Sequence, residues 1–235
     1  MFKFNNCEIG HQSLLFTIDD LVLEKATVYA LFGANGTGKS TFLHKLALGG
    51  LKKDKVTFEN KEWEQFSIKD RTKLLSLIDN KFQGQHFMNT KEYLALGRFP
   101  YTGYLGSLSP NDEKIIAHYA EELCLEHLFD KSTATLSDGE RQRATIAKAL
   151  IQETPILLFD EPTSFLDYPT KRNVMQMIQT IAKKFNKIVV IAAHDLELCT
   201  EFSDQILLID PIKKRLRIVN EPLAIPEIVA IINPN

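Results

Sequence analysis

The sequence lacks any apolar run approaching the roughly 20 residues that a helix needs to span a bilayer. Its best runs, Ile188 to Ala193 and the tail near Ile228 to Ile232, are too short. No basic segment leads into an apolar one at the N-terminus, so no secretory signal is expected. A role at a membrane then has to come through a partner. Charge of one sign is lacking too: 28 Lys+Arg against 30 Asp+Glu leave a net charge of −2. That total offers no basic footprint for a nucleic acid. Cysteine is sparse. Cys7, Cys124 and Cys199 are odd in number, far apart and without metal-ligand spacing, which fits incidental thiols in a reducing compartment. Repeats, low-complexity tracts and long linkers are absent.

What is present is an ordinary globular composition, 44% hydrophobic and 25% charged over 235 residues. That length holds one large domain, or one domain carrying an inserted lobe, around a substantial core. Short β-branched apolar runs alternate with helical patterns, which predicts an α/β fold with a mostly parallel sheet. The expected strands are 28–32, 156–159, 188–191 and 205–209. Between about Gln85 and Thr154 strand signals vanish, and helices are expected over 111–125, capped by Ser109 or Asn111, and over 140–151. A single domain over 1–235 is expected. Its nucleotide-binding α/β core covers 1–84 and 155–235, and a helical subdomain occupies 85–154.

The strand at 28–32 leads into Gly33-Ala34-Asn35-Gly36-Thr37-Gly38-Lys39-Ser40-Thr41, after which a helix is expected over 40–48. This is the full G-x-x-x-x-G-K-[ST] pattern in the strand–loop–helix setting that its chemistry requires. Gly36 and Gly38 let successive backbone N–H groups turn inward around phosphate oxygens, and the helix aims the positive end of its dipole at the same place. Lys39 meets β- and γ-phosphate charge, and the Ser40 hydroxyl is a Mg²⁺ ligand. At the end of the 156–159 strand, Asp160 and Glu161 point to different sides. One carboxylate is thus free for Mg²⁺ (Asp160) while the other faces a water as general base (Glu161). Further back, Leu136-Ser137-Asp138-Gly139-Glu140 opens a helix, with Ser137 and Glu140 spaced as a capping box.

That last segment resembles the signature sequence of ABC ATPases, commonly Leu-Ser-Gly-Gly-Gln. The other family marks follow in order: Asp160-Glu161-Pro162-Thr163 is similar to Walker B, Ser164-Phe165-Leu166-Asp167 to the D-loop, and His194-Asp195 to the switch histidine. The resemblance covers nearly the whole chain. It implies a P-loop ATPase with cofactors ATP and Mg²⁺, working as a head-to-tail homodimer. In such a dimer Ser137 and Gly139 complete the partner's phosphate site, Asp167 lies in the D-loop, and His194 meets the γ-phosphate. The family's Q-loop amide falls on Asn80, favoured over Gln83. The aromatic that stacks on adenine is left open between His11 and Phe16. Asp138 replaces a usual glycine, and its charge is expected to turn sideways, away from phosphate.

Within the family, Leu96-Gly97-Arg98-Phe99-Pro100-Tyr101 followed by Gly103-Tyr104-Leu105-Gly106 is similar to importers of iron-siderophore complexes, haem and vitamin B12. A packing motif indifferent to cargo is the other reading of those residues. The resemblance thus implies an ATPase subunit on the cytoplasmic face of the plasma membrane, peripheral, held there by an integral permease and served by a separate substrate-binding protein. The competing readings are a scaffold ATPase for assembly, as in iron–sulfur cluster assembly, and an exporter ATPase.

Overall fold

A computed structural model describes residues 1–10, 12–49, 55–79, 82, 87–103, 106–164, 166–219 and 223–233. Asn80, Gln83 and His11 therefore lie outside the described residues, as does Phe165. In chain order the elements are β1 (Phe2–Gly10), β2 (Leu14–Leu23), β3 (Thr27–Phe32), α1 (Lys39–Leu48), β4 (Lys55–Phe58) and β5 (Lys61–Glu62). Then come α2 (Ile68–Arg71), β6 (Leu75–Asp79), α3 (Thr90–Ala95), α4 (Pro110–Glu122), α5 (Asp138–Ile151) and β7 (Ile156–Asp160). The chain finishes with α6 (Tyr168–Lys184), β8 (Ile188–Ala192), α7 (Leu196–Phe202), β9 (Gln205–Asp210), β10 (Arg215–Val219) and α8 (Ile225–Ile232).

The strands form one mixed sheet in the order β5-β4-β1-β2-β10-β9-β3-β8-β7-β6. From β9 to β6 every pairing is parallel, which needs helical crossovers and buries both faces. Alternate residues of one strand accordingly enter different cores. Val28, Ala30 and Phe32 face the core formed with α4, α5 and α6, while Tyr29 and Leu31 face the one formed with α1. Each fully buried aliphatic or aromatic side chain is worth about 1.5–3 kcal/mol, so both faces contribute to holding the strands in register.

The other half of the sheet is largely antiparallel and was not foreseen. β1 pairs with β2 and β4, and β10 with β9. A period-two signal is nevertheless there on either side of a break at Asn6, whose φ is 52°: Phe2 and Phe4, then Cys7 and Ile9, are buried between more exposed neighbours.

Helix boundaries follow local chemistry. Ser109, not Asn111, caps α4: its hydroxyl accepts from the Asp112 N–H at 3.2 Å, and Pro110 occupies the first turn, where a missing N–H is harmless. The helix stops at Glu122, short of the expected Leu125, because the chain turns through Cys124 at φ 52°.

The Leu96–Tyr101 segment is explained by packing. Gly97 lies so close to α5 that an added Cβ would sit 2.4 Å from the Lys148 carbonyl oxygen. The buried Arg98 guanidinium donates to Asp112 Oδ1 at 2.7 Å, to Glu153 Oε2 at 2.9 Å and to the Ile151 carbonyl at 2.9 Å. It also lies 4.0 Å from the centroid of the Tyr101 ring, and Tyr101 Oη donates to the Gln152 carbonyl at 2.9 Å. These residues staple the segment to the end of α5. Phe99, by contrast, projects outward and is 71% exposed.

Candidate active site

Because β3, β8, β7 and β6 run parallel, their carboxyl ends share one edge, where open α/β sheets place ligands. The register aligns them: Asp79 pairs with Asp160, Asp160 with Ala192, and Ala192 with Leu31. The segments that leave this row are the loop at 33–38, Glu161 and His194.

The loop has the geometry its glycines predict. Gly36 and Gly38 take φ of 77° and 104°, and Gly38 caps α1, conformations that a side chain would strain. Thr37 ties the turn, its N–H and hydroxyl both donating to the Ala34 carbonyl, at 3.3 and 2.8 Å. The buried Lys39 ammonium donates to the Gly33 carbonyl at 2.8 Å and to the Ala34 carbonyl at 3.3 Å. Burial lowers its pKa, while the Glu161 and Asp160 carboxylates pull it back up. Asn35, Gly36 and Ser40 are exposed and Thr41 is half-buried, so the loop's outer surface is open.

Asp160 lies beside the Ser40 side chain. Burial raises its pKa, the Ser40 side chain opposes this, and the Glu161 charge adds to the rise. A half-buried carboxylate beside a hydroxyl at the mouth of a phosphate loop is a hard-oxygen donor set, the kind that suits Mg²⁺.

Glu161 sits in a left-handed backbone conformation, φ 55°, its N–H donating to the Ala192 carbonyl at 2.8 Å. Such a position costs about 1–3 kcal/mol and persists where surrounding structure enforces it. Both carboxylate oxygens are engaged: Oε1 lies 2.9 Å from His194 Nε2, and Oε2 accepts from the Ser164 hydroxyl at 2.9 Å. Ser164 was missed as a partner of Glu161, although its spacing of three residues in a turn was a signal. Beside His194 a cleft of about 190 Å³, lined by Ala34, Asn35, Val229 and Ile232 among others, separates the loop from α8.

Two neighbours of Asp160 also escaped the sequence reading. His44 lies one helical turn beyond Ser40 on α1, and Asp79 ends β6. His44 Nε2 is 3.6 Å from Asp79 Oδ1, and the ligand-type atoms of His44, Asp79 and Asp160 all lie within 4.8 Å of one another.

Ser137, Gly139 and Asp167 stand apart from this cluster. Among the described residues no hydrogen bond or ion pair joins them to the loop. Ser137 caps α5 in a reciprocal box with Glu140: Glu140 N–H donates to Ser137 Oγ at 3.3 Å, and Ser137 N–H to Glu140 Oε2 at 2.7 Å. Lys131 and the Ser137 N–H hold the Glu140 pKa down to about 2. Asp138 turns along the helix to Arg141, 3.3 Å away. Asp167 caps α6, accepting from the Thr170 N–H at 3.0 Å. Phe16, one candidate for adenine stacking, is fully buried against Phe42 and offers no open ring face.

The geometry is matched by sequence and fold comparisons. The ABC transporter family profile matches residues 17–164. An ABC transporter ATP-binding protein of Methanocaldococcus jannaschii is 33% identical over 89% of this chain and 73% of its own length. The petrobactin import ATP-binding protein FpuC of Bacillus anthracis is 31% identical, over 80% of this chain and 69% of its own. The iron(3+)-hydroxamate import ATP-binding protein FhuC of Bacillus subtilis is 29% identical, over 83% and 73%. Among solved structures, an inward-facing metal-chelate type ABC transporter superposes with a TM-score of 0.83 at 22% identity, over 98% of this chain and 88% of that one. A dimeric, post-hydrolysis ATP-binding cassette bound to ADP and Pi superposes at 0.75 and 23%, over 93% and 98%. The profile alone spans more than half of the chain, and with the phosphate loop and paired carboxylates at one sheet edge it leads to a single assignment: the chain belongs to the ABC transporter family, as an ATP-binding and ATP-hydrolysing member.

Proposed function

We propose that this ATPase energises import of an iron chelate through a membrane permease. The observation that carries the catalytic part is the convergence of Lys39, Ser40, Asp160 and Glu161 at the carboxyl ends of β3 and β7. The cargo reading rests on relatives named for petrobactin and iron(3+)-hydroxamate import. The Leu96–Tyr101 segment, similar to importers of iron-siderophore complexes, agrees with it, although Arg98 and Tyr101 are engaged in packing against α5.

In this reading Gly33, Asn35, Gly36, Thr37, Gly38 and Thr41 shape the phosphate cradle, and Lys39 neutralises the β- and γ-phosphates. Ser40 and Asp160, with Asn80 as the Q-loop amide, would hold Mg²⁺, which would supply neutralisation of phosphate charge there. Glu161 accepts a proton from the attacking water as the oxygen bonds the γ-phosphorus and ADP leaves, giving inorganic phosphate. His194 lies 2.9 Å from Glu161 Oε1; in this reading it orients that carboxylate and contacts the γ-phosphate.

The site is half of a pair. Ser137 and Asp167 are exposed helix caps, and a second copy's phosphates would meet the α5 N-terminus, where backbone N–H groups and the helix dipole favour an anion. Gly139 supports this. It is half-buried, and an added Cβ would meet only Thr170 Cγ2, at an ordinary 3.8 Å, so packing within the chain does not require glycine there. Gly139→Ala should keep or raise the melting temperature, alanine being favoured in helices by about 0.5–1 kcal/mol. Gly139→Asp should fold and bind ATP as one chain, yet fail to dimerise on ATP and lose turnover. Normal ATP-driven dimerisation of Gly139→Asp would refute the paired site.

Residues 85–154 act in this account as a helical subdomain that carries the signature and faces the permease. No helix among the described residues is long and apolar enough to cross a membrane. A peripheral place on the cytoplasmic face, with a separate binding protein delivering cargo, fits an import ATPase. The test is to identify the membrane protein that co-purifies with the chain and to assay ATP-dependent uptake of ferric siderophores by the complex. Recovery with non-membrane partners alone would favour an assembly scaffold, and outward transport an exporter.

A further inference from the structure

We propose that His44, Asp79 and Asp160 form a second metal site, one that takes a divalent transition-metal ion of the zinc class and shares Asp160 with the nucleotide's magnesium position. Three elements build it. His44 follows Ser40 by four residues on α1, so both side chains lie on one face of that helix. Asp79 and Asp160 are register partners on parallel β6 and β7, and their side chains therefore share a face of the sheet. It is the face on which α1 packs: Leu158, two residues before Asp160, is buried in the same core as Phe42 and Leu43.

The distances fit a metal that draws its ligands in slightly. Nitrogen and oxygen ligands about 2.0–2.1 Å from a tetrahedral ion stand roughly 3.4 Å apart. His44 Nε2 and Asp79 Oδ1 are 3.6 Å apart, and no pair among the three ligand atoms exceeds 4.8 Å. All three residues are half-buried, so the cluster is not sealed from solvent. The donor chemistry sets the class. A hard ion such as Mg²⁺ gains little from an imidazole nitrogen, whereas one imidazole with two carboxylates suits Zn²⁺ and its neighbours. Without a cation, Asp79 and Asp160 bring two carboxylates together, which is unfavourable, and a His–Asp pair only half removed from water contributes little by itself.

An ion held there would draw the Asp160 carboxylate toward His44 and away from Ser40, and so oppose magnesium-dependent turnover. Only this second part rests on the proposed ATPase mechanism. Binding is tested first, on the nucleotide-free full-length chain titrated with Zn²⁺ alone by calorimetry. One site per chain is expected. Affinity should fall roughly tenfold or more in His44→Ala and in Asp79→Asn, and persist in His194→Ala, which removes the other nearby imidazole. Both His44→Ala and Asp79→Asn should melt and bind ATP as the parent does. Absence of a stoichiometric site, an unchanged affinity in His44→Ala, or loss in His194→Ala instead would overturn the site. In the second test, Zn²⁺ added to a magnesium–ATP turnover assay should slow the parent and leave His44→Ala unaffected. Equal inhibition of both overturns the sharing of Asp160. A chain that turns over no ATP at all would sink the ATPase mechanism while the zinc titration still decides the site.

Discussion

Glu161→Gln is expected to lower ATP turnover by about 10²–10⁴, the usual contribution of a positioned general base, while ATP binding stays intact. Glutamine has the same length and tolerates the same left-handed backbone, and its amide can still meet His194 and Ser164, so the local structure around φ 55° should be kept. What it cannot do is accept a proton from water. If ATP bridges two copies and ADP does not, as in the proposed paired site, a variant that binds without hydrolysing should accumulate as an ATP-bound dimer. Turnover by coupled phosphate release, nucleotide affinity, and sedimentation with and without ATP check the three parts. Near-normal turnover would remove Glu161 from its role.

Lys39→Ala should weaken magnesium-dependent ATP binding by roughly 10–100-fold, the range of a lost hydrogen bond to a charged group. The ammonium is held ready, bonded to the carbonyls of Gly33 and Ala34 within the loop it serves. Its removal takes away both the cation and a brace of the loop. Lys39→Arg should rescue poorly, since a planar guanidinium cannot replace a compact ammonium in a buried position. Calorimetric titration with ATP, beside a thermal melt to exclude unfolding, reads the effect. Unchanged affinity in Lys39→Ala would take the phosphate-loop account down with it.

Much of the site is local in the chain and so was legible there. Nine consecutive residues make the phosphate loop, and the positive φ of Gly36 and Gly38 is a property of those residues and their immediate neighbours. The capping box at Ser137 spans four residues, and one helical turn is enough to fix it, whereas the cap at 109–111 is open in the sequence between Ser109 and Asn111. The buried strands β3, β7, β8 and β9 announced themselves as short apolar runs because parallel strands bury both faces. The motifs named the family, and the profile match agrees.

Other features depended on which distant segments meet. The contact between Glu161 and His194 joins residues 33 apart, and that of Asp79 with Asp160 joins neighbouring strands separated by the helical segment. Neither distance is encoded near either residue. The Leu96–Tyr101 motif is similar to importers in sequence, but that Arg98 in it is a buried staple depends on its distant partners Asp112 and Glu153. The adenine-stacking aromatic is open in the sequence between His11 and Phe16, and the fold removes Phe16 by enclosing it.

By itself the sequence determined the chemistry carried at single points: a phosphate loop, paired carboxylates, a capped signature helix, and an α/β core to present them. Tertiary structure alone decided that His44, Asp79 and Asp160 converge, that Ser164 and His194 grip the same carboxylate, and that Ser137 and Asp167 face outward. The reason is one of range. Turns, caps and strand propensity are settled by neighbours within about one helical turn, whereas register and helix–sheet packing are settled by burial against partners far away in the chain.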